Sequence, residues 1–224
     1  AGLDMLYSSG TTGMPKGIAR TFPNEPLGTW NNGVTGVCQL LFGVDDNKRY
    51  LSPAPFYHAA PLRFCMSMHA IGASIVAMEN FDAEGYLQLV EEHKITHSQV
   101  VPTMFVRMLK LDDNVRTKYE ISSLEGVIHA AAPCPIPTKK SMMDWFGPVI
   151  HEYYAGSEGN GFVYASPEAW LAHEGTVGSA LNCTLHICGE DGEELPQGQS
   201  GTVFFDGGGE FGEADVWLLP GLLA

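Results

Sequence analysis

The chain has 224 residues, of which 45% are hydrophobic and 17% charged, so it can bury the core of one large domain or two small ones. Its formal net charge of −14 argues against a nucleic acid or an anionic membrane as partner, because both require a basic surface. We expect no transmembrane segment and no signal peptide, since no run of about eighteen apolar residues occurs and no basic, then apolar stretch opens the chain.

The first predicted element is a short strand over 3–7, and a segment rich in hydroxyls and glycines follows it, with the sequence SSGTTGMPKG. Gly10 and Gly13 permit positive φ and Pro15 lacks an N–H, so the segment predicts a loop. Hydroxyls, backbone amides and Lys16 are all donors, which suits the oxygens of a phosphate.

A nucleotidase P-loop, G-x-x-x-x-G-K-[ST], does not fit this loop. When the motif is started at Gly10, Pro15 stands where its second glycine belongs and Gly17 stands where its metal-binding hydroxyl belongs. An ordinary surface loop is the alternative to a phosphate site of another class.

Short apolar runs then alternate with helical patterns. We predict a buried strand over 73–78; a helix capped by Asp82 with Tyr86, Leu89 and Val90 on one face; a strand over 95–101; a helix starting at Pro102 with Phe105, Met108 and Leu109 inward; a buried strand over 126–132; a helix over 138–146 ended by Gly147; and a strand over 149–154. This alternation predicts an α/β fold with a mainly parallel sheet and helices on both faces.

The pattern changes near residue 180. Segments 184–188 and 202–206 flank a turn-rich connection, which is typical of antiparallel strands. We therefore predict an α/β nucleotide-binding portion over 1–180, the start of a β-rich subdomain over 181–209 and a C-terminal tail over 210–224.

Ligands of open α/β sheets bind at the carboxyl ends of the strands, and two such ends carry suggestive residues. Tyr154, Ser157 and Glu158 follow the strand over 149–154; a serine can bind a phosphate oxygen, a glutamate can hold Mg²⁺, and a tyrosine can stack on a base. The nucleophile elbow G-x-S-x-G is excluded because Gly156 directly precedes Ser157. The alanines before Pro133 would let a flat ring lie against the backbone, or would serve a tight helix–sheet contact.

Histidines and cysteines suggest less. The predicted helix ends between His93 and His97, so we expect surface or boundary residues there rather than metal ligands. His58 lies in a proline-bracketed loop with two aromatic residues, which suits either a pocket wall or a structural role. The five cysteines, an odd number without a Cys-x-x-Cys pair, predict buried free thiols and a cytoplasmic protein.

Together these motifs resemble the acyl-adenylate-forming family, which includes acyl-CoA synthetases, luciferases and the adenylation domains of peptide synthetases. The resemblance covers residues 3 to about 209 and rests on YSSGTTGMPKG at 7–17, PFYH at 55–58, AAAP at 130–133, YAGSE at 154–158, GTVG at 175–178 and GQSGTVFF at 198–205. Ala155 and Ser157 stand where the family has glycine and threonine. VPTMF at 101–105 and HEYYAGSEGNGF at 151–162 resemble bacterial fatty-acyl-CoA synthetases in particular.

The resemblance implies a ligase that works in two steps. A carboxylate, here that of a fatty or other acid, attacks the α-phosphate of ATP to give acyl-AMP and pyrophosphate, and the thiol of coenzyme A then displaces AMP. By the same resemblance, catalysis depends on Lys16, Ser157 and Glu158, and Mg²⁺ is held by Glu158 and Thr11. The nucleotide is bound by Ser8, Ser9, Gly10, Thr11, Thr12, Gly13, Lys16, Ala131, Ala132, Pro133, Tyr154, Ala155, Gly156 and Ser157, and the acyl pocket is bordered by His58, Tyr57 and Gly156.

Two parts of the family pattern do not occur in the sequence. The Thr-Gly-Asp segment, whose aspartate holds the ribose, is absent, and so is the C-terminal domain with its catalytic lysine. We therefore expect a central segment with little or no ligase turnover alone, and association with itself or with a complementary piece. The alternatives are a non-catalytic module that binds a nucleotide or an acyl group, and a phosphotransferase or NTPase.

Overall fold

The computed structural model describes residues 6–7, 17–18, 33–157 and 159–207. Two short strands near the start, β1 (Leu6–Tyr7) and β2 (Gly17–Ile18), pair antiparallel. Of the strand predicted over 3–7, only β1 lies within the described residues, and the tail predicted over 210–224 lies outside them. Among the described residues, no helix combines the length and the apolar character that crossing a bilayer requires.

The body of the protein is a seven-stranded sheet with the order β4-β3-β5-β6-β7-β8-β9. Its strands are β3 (Arg49–Ser52), β4 (Ser74–Ala77), β5 (His97–Val100), β6 (Gly126–His129), β7 (Ile150–Ala155), β8 (Phe162–Ala165) and β9 (Ser179–Ala180). Strands β3 to β7 are parallel to one another, whereas β8 and β9 are antiparallel to their neighbours. The predicted mainly parallel sheet is therefore confirmed.

Helices cover both faces of this sheet, as predicted. They are α1 (Gly33–Leu40), α2 (Ala59–Ile71), α3 (Ala83–His93), α4 (Pro102–Leu109), α5 (Asp113–Arg116), α6 (Ile136–Phe146) and α7 (Pro167–Ala172). Helices α1 and α2 pack together on one face of the sheet. Helices α3, α4 and α6 contribute to the hydrophobic core on the opposite face.

The alternation of side chains along a strand divides the core in two. On β3, Tyr50 joins the core under α1 and α2, whereas Leu51 joins the core under α3, α4 and α6. On β6, Ile128 and Val127 divide in the same way. Because neighbouring residues of a strand point to opposite faces, each of these two strands carries apolar residues at two consecutive positions, one for each core.

Local helix signals are confirmed at three positions. The Asp82 carboxylate accepts a hydrogen bond from the Gly85 N–H at 2.7 Å, as an N-cap does. Pro102 is the first residue of α4, and Gly147 follows the last residue of α6 with φ of 87°.

Other boundaries differ from the prediction. The strand predicted as buried over 73–78 is the edge strand β4, and its two end residues are exposed. The strand predicted over 126–132 ends at His129, because Ala131 has a left-handed backbone with φ of 76° that no strand accommodates. Helix α6 begins at Ile136, two positions before the predicted start, since Pro137 fits its first turn.

The predicted pair of antiparallel strands after residue 180 is confirmed. Strands β10 (Thr184–Cys188) and β11 (Thr202–Asp206) form a two-stranded sheet of their own. Phe205 and Val203 of this pair pack with Val163 of β8. The division into portions over 1–180 and 181–209 stays a prediction.

Candidate functional site

The hydroxyl-rich loop begins and ends at one place in the fold. Tyr7, the last residue of β1, pairs with Gly17, the first residue of β2. The predicted phosphate-binding residues Ser8, Ser9, Gly10, Thr11, Thr12, Gly13 and Lys16 lie outside the described residues. Their two flanks are therefore adjacent, and Tyr7 lies at the edge of a cleft.

This cleft has a volume of about 660 Å³ and lies on the face of the sheet that carries α1 and α2. Its floor comes from the carboxyl ends of three neighbouring parallel strands, β5, β6 and β7, and its walls from α1, the start of α2 and the start of β8. The described residues that line it are Leu6, Tyr7, Gly33, Val34, Val37, Tyr57, His58, Ala59, Ala60, Pro61, Arg63, Phe64, Gln99, Val101, Ala130, Ala131, Tyr153, Ala155, Gly156, Ser157, Gly159, Gly161 and Phe162. Strand carboxyl ends are where ligands of such sheets are expected.

The cleft brings together three of the predicted clusters, which are distant in sequence. Tyr57 and His58 come from the loop before α2, Ala131 follows β6, and Ala155, Gly156 and Ser157 end β7. All six residues belong to the sequence motifs, and all line this one cleft.

Other predicted site residues lie elsewhere. Tyr154 points away from the cleft, because it neighbours Tyr153 on the same strand, and its ring packs 5.5 Å from the ring of Phe205. Ala132 and Pro133 are exposed and do not line the cleft. Glu158, the predicted metal ligand, lies outside the described residues.

The backbone at Ala131 is strained at the cleft floor. A left-handed φ of 76° costs a residue with a Cβ about 1–2 kcal/mol, and such outliers concentrate at functional sites. With Ala130 and Gly156, Ala131 leaves the part of the cleft floor just beyond β6 and β7 without bulky side chains.

Tyr57 and His58 form the rim. The centres of their rings lie 4.4 Å apart, and 78% of Tyr57 is exposed. His58 precedes α2 but makes no side-chain cap of that helix, so its imidazole is not committed to the helix terminus. The predicted pocket-wall role of His58 agrees with this position.

Aromatic rings stack along one wall of the cleft. Phe64 and Tyr153 stack at 6.1 Å with an interplanar angle of 24°, and Tyr153 and Phe162 stack at 5.2 Å with an angle of 13°. Burial raises the pKa of Tyr153, so its phenol is neutral at physiological pH, and the charge of the nearby Arg63 acts in the opposite direction. Arg63 also lines the cleft and adds a cation to a chain that is acidic overall.

A buried charged cluster lies on the opposite face. Glu152 of β7 accepts from Lys139 Nζ at 2.6 Å and lies 3.3 Å from His129 Nε2. Burial lowers the pKa of His129 and of Lys139; burial opposes ionisation of Glu152, yet its contacts with His129 and Lys139 hold the pKa of that carboxyl below its usual value. The Lys139 ammonium also lies 4.9 Å from the centre of the Trp170 ring.

The two histidines, His93 and His97, lie at element boundaries, as predicted, but one of them is not at the surface. His97 is fully buried rather than at the surface, and its Nε2 lies 2.8 Å from the carbonyl oxygen of Phe42. His93 ends α3 and His97 begins β5, so the predicted boundary between them is confirmed. Within the described ranges, no group of three His, Cys, Asp or Glu side chains could hold a metal ion.

Sequence reasoning missed several residues of the site. Gln99, Arg63 and Tyr153 line the cleft, and the cluster of Lys139 with Glu152 supports the strand beside it. A signal for Gln99 was available, since the run His97-Ser98-Gln99 is polar although β5 is buried throughout. The Lys139–Glu152 pair joins a helix to a strand. The sequence separation of such a pair follows no fixed pattern, so the sequence alone does not reveal it.

Comparison with known proteins identifies the family. The family described as AMP-binding enzyme matches residues 4–211. A 2-succinylbenzoate–CoA ligase of Bacillus pumilus is 28% identical over 192 residues, which are 85% of this chain and 37% of the relative. A 4-coumarate–CoA ligase 5 of Oryza sativa subsp. japonica is 31% identical over 223 residues, with 90% of this chain and 38% of the relative covered.

Solved structures agree on the fold. The o-succinylbenzoate CoA synthetase of Bacillus subtilis, solved with its acyl-adenylate intermediate, superimposes with a TM-score of 0.75 at 24% identity and covers 91% of this chain and 40% of that one. An amide bond synthetase of Marinactinospora thermotolerans gives a TM-score of 0.74 at 23% identity, with the same coverage. The chain thus spans less than half the length of these relatives. With its family match over nearly the whole sequence, this chain belongs to the family of AMP-binding enzymes.

Proposed function

We propose that this chain is the central, nucleotide-binding segment of an ATP-dependent acid–CoA ligase. The observation that carries the proposal is the cleft at the carboxyl ends of β5, β6 and β7, where Ser157, Ala131 and His58 converge from three separate motifs. The relatives named as CoA ligases and the family match support the same activity.

The proposed chemistry has two steps. An oxygen of the substrate carboxylate attacks the α-phosphorus of ATP, the bond to the bridging oxygen breaks, and pyrophosphate leaves with its electron pair. The sulfur of coenzyme A then attacks the acyl carbon, its proton is lost to solvent or to a base, and AMP leaves. Both steps need stabilisation of the developing negative charge on oxygen.

The described residues supply part of what these steps need. The Ser157 hydroxyl at the end of β7 can donate to a phosphate oxygen, and the cation of Arg63 makes the cleft more favourable for an anion. The small residues Ala130, Ala131 and Gly156 leave room for a flat ring at the floor. The stacking of adenine on Tyr154 stays a prediction, since that ring packs on Phe205.

Lys16, Thr11 and Glu158 complete the proposal from the sequence. Lys16 would contact the β- and γ-phosphates, and Thr11 with Glu158 would hold Mg²⁺ by oxygen ligands, which such hard cations prefer. When bound, Mg²⁺ supplies charge neutralisation at the leaving pyrophosphate. A related synthetase structure was solved with ATP and a magnesium ion.

The substrate is proposed as a carboxylic acid with an apolar body. The fatty-acid assignment stays a prediction, because the relatives carry the names of 2-succinylbenzoate and 4-coumarate, and the apolar and aromatic cleft walls suit an alkyl or an aryl group equally. Coenzyme A as the acceptor, self-association and weak turnover of this chain alone also stay predictions. All five cysteines are free, and three of them are buried as predicted whereas Cys134 and Cys183 are half-buried. The cytoplasmic compartment stays a prediction.

Thermal unfolding with two nucleotides tests the proposal. Mg-ATP or AMP at a hundred times its dissociation constant should add about 2.7 kcal/mol to the free energy of unfolding, which raises the midpoint by several degrees. Lys16→Ala and Glu158→Ala should lose the shift with Mg-ATP but keep the shift with AMP, because AMP lacks the β- and γ-phosphates. The exposed Lys110→Ala serves as the control and should keep both shifts.

A shift that Lys16→Ala and Glu158→Ala retain with Mg-ATP would contradict the roles given to those two residues. Release of pyrophosphate on addition of acid and Mg-ATP measures the first chemical step separately. That assay distinguishes a ligase segment from a module that only binds nucleotide.

A further inference from the structure

The floor of the cleft contains a buried amide with an unused acceptor. Only 2% of Gln99 is exposed, and the residue lines the cleft from the end of β5. Its Nε2 donates to the carbonyl oxygen of Val100 at 3.1 Å, whereas its Oε1 has no hydrogen-bond partner among the described residues.

The orientation of this amide follows from its neighbour. If the oxygen and nitrogen of the side chain were exchanged, Oε1 would lie about 3.1 Å from the Val100 carbonyl oxygen, and two acceptors would face each other. The nitrogen therefore takes the position beside Val100. The group of Gln99 that remains without a partner among the described residues is therefore the acceptor Oε1.

An acceptor of this kind is expensive to bury. Leaving a buried polar group unpaired is unfavourable because the group loses its hydrogen bonds to water, and nearly all buried polar atoms in native proteins have a partner. Val101 follows β5 directly, and the stacked rings of Phe64, Tyr153 and Phe162 form one wall of the same cleft. A group that enters this cleft and donates a hydrogen bond would remove the cost.

We propose that Gln99 is a specificity-determining residue, and that its Oε1 accepts a hydrogen bond from a hydroxyl or N–H on the body of the acid. The cleft then prefers an acid that carries both an apolar or aromatic body and a donor over the same acid without the donor. This inference rests on the proposed function, because the part of the cleft at Gln99 must hold the acid while the nucleotide binds at Ser157 and Ala131. It also sets this chain apart from a ligase for unsubstituted fatty acids.

Matched pairs of acids test the inference. The probes are 3-phenylpropanoate with 3-(4-hydroxyphenyl)propanoate, and octanoate with 8-hydroxyoctanoate, titrated calorimetrically into the full chain in the presence of AMP. In at least one pair we expect the hydroxylated acid to bind about tenfold more tightly, which corresponds to about 1.4 kcal/mol. The variant Gln99→Met has nearly the same shape but no acceptor, so it should bind both members of that pair equally.

The control is Gln88→Met, the same change at an exposed position of α3, which should keep the tenfold preference. Equal affinities within both pairs for the wild-type chain would overturn the inference, whether or not Gln99→Met folds. A preference that survives in Gln99→Met would also overturn it.

Titration with AMP alone separates this inference from the proposed function. If AMP binds and none of the four acids does, the nucleotide site stands and the role of Gln99 is wrong. If the folded chain does not bind AMP, the proposed function fails and the inference falls with it.

Discussion

Lys139 Nζ and Glu152 Oε2 lie 2.6 Å apart inside the core, on the face of the sheet opposite the cleft. Glu152 belongs to β7, the strand that ends just before Gly156 and Ser157, and Lys139 belongs to α6, which packs on that strand. The ion pair therefore fastens the helix to the strand that carries part of the candidate site.

Removing one partner of this pair should destabilise the fold strongly. Glu152→Gln leaves the buried Lys139 ammonium without its counter-charge, and we expect a loss of about 3–5 kcal/mol in the free energy of unfolding, measured by urea denaturation. The double variant Lys139→Met with Glu152→Gln should recover at least half of that loss, since it removes both buried charges.

The neighbouring residue of the same helix provides the control. Lys140 pairs with Glu174 at 3.2 Å, but both side chains are largely exposed. Glu174→Gln should cost less than about 1 kcal/mol, as for other surface pairs. A Glu152→Gln variant as stable as Glu174→Gln would show that the buried pair does not hold α6 to β7.

Mild acid should destabilise the chain through the buried His129 and the half-buried His151. Burial lowers the pKa of His129, and it lowers the pKa of His151 to about 4. The unfolded chain takes up protons near pH 6.5 whereas the folded chain does not, so the free energy of unfolding falls as the pH drops below about 6.5. For His151 the loss reaches about 2 kcal/mol at pH 5 and continues to about pH 4.

Urea denaturation at pH 7, 6 and 5 measures this dependence. His151→Asn should flatten it, because the amide does not titrate and can still meet the Tyr164 hydroxyl that lies 2.8 Å from His151 Nδ1. The exposed His173→Asn should keep the wild-type slope. The same slope in wild type and His151→Asn would refute the neutral state assigned to His151 in the folded chain.

Gly178, the last residue of the GTVG motif, should not tolerate any side chain. It has φ of 102°, and a Cβ there would overlap with the carbonyl group of Tyr164 on β8. Gly178→Ala must push β8 away from its neighbour β9 and should cost several kcal/mol, or prevent folding.

Gly192 separates this overlap from backbone strain. Its φ of 84° is equally left-handed, but a Cβ would meet no atom within 4 Å. Gly192→Ala should therefore cost only the strain, about 1–2 kcal/mol. The thermal midpoints of the two variants test this difference. An equal decrease of the midpoint in both would mean that the close approach of Gly178 to Tyr164 does not affect stability.

Sequence predicted the fold where local chemistry determines it. Asp82, Pro102 and Gly147 act at helix ends through their own backbone and side-chain preferences, and β10 and β11 have the predicted bounds. It failed where tertiary contacts decide, as at β4, whose apolar pattern does not reveal that the strand lies at the sheet edge.

The candidate site divides along the same line. The motifs include Ser157, Ala131 and His58, and all three line the cleft; the phosphate, ring and acyl roles given to them stay predictions. Gln99 and the Lys139–Glu152 pair depend on which side chains the fold brings together, and a single sequence carries no spacing that predicts this. Tyr153 lines the cleft and Tyr154 does not, because consecutive residues of a strand point to opposite faces of the sheet.

The most direct test of the central claim is a calorimetric titration of AMP into the wild-type chain, Ser157→Ala and the exposed Ser200→Ala. We predict saturable binding of one AMP by the wild type and by Ser200→Ala. Ser157→Ala should weaken it about tenfold or more, as expected for a hydrogen bond to a charged phosphate. A folded wild-type chain that does not bind AMP, or that binds it equally well without the Ser157 hydroxyl, would contradict the assignment of this cleft as the nucleotide site.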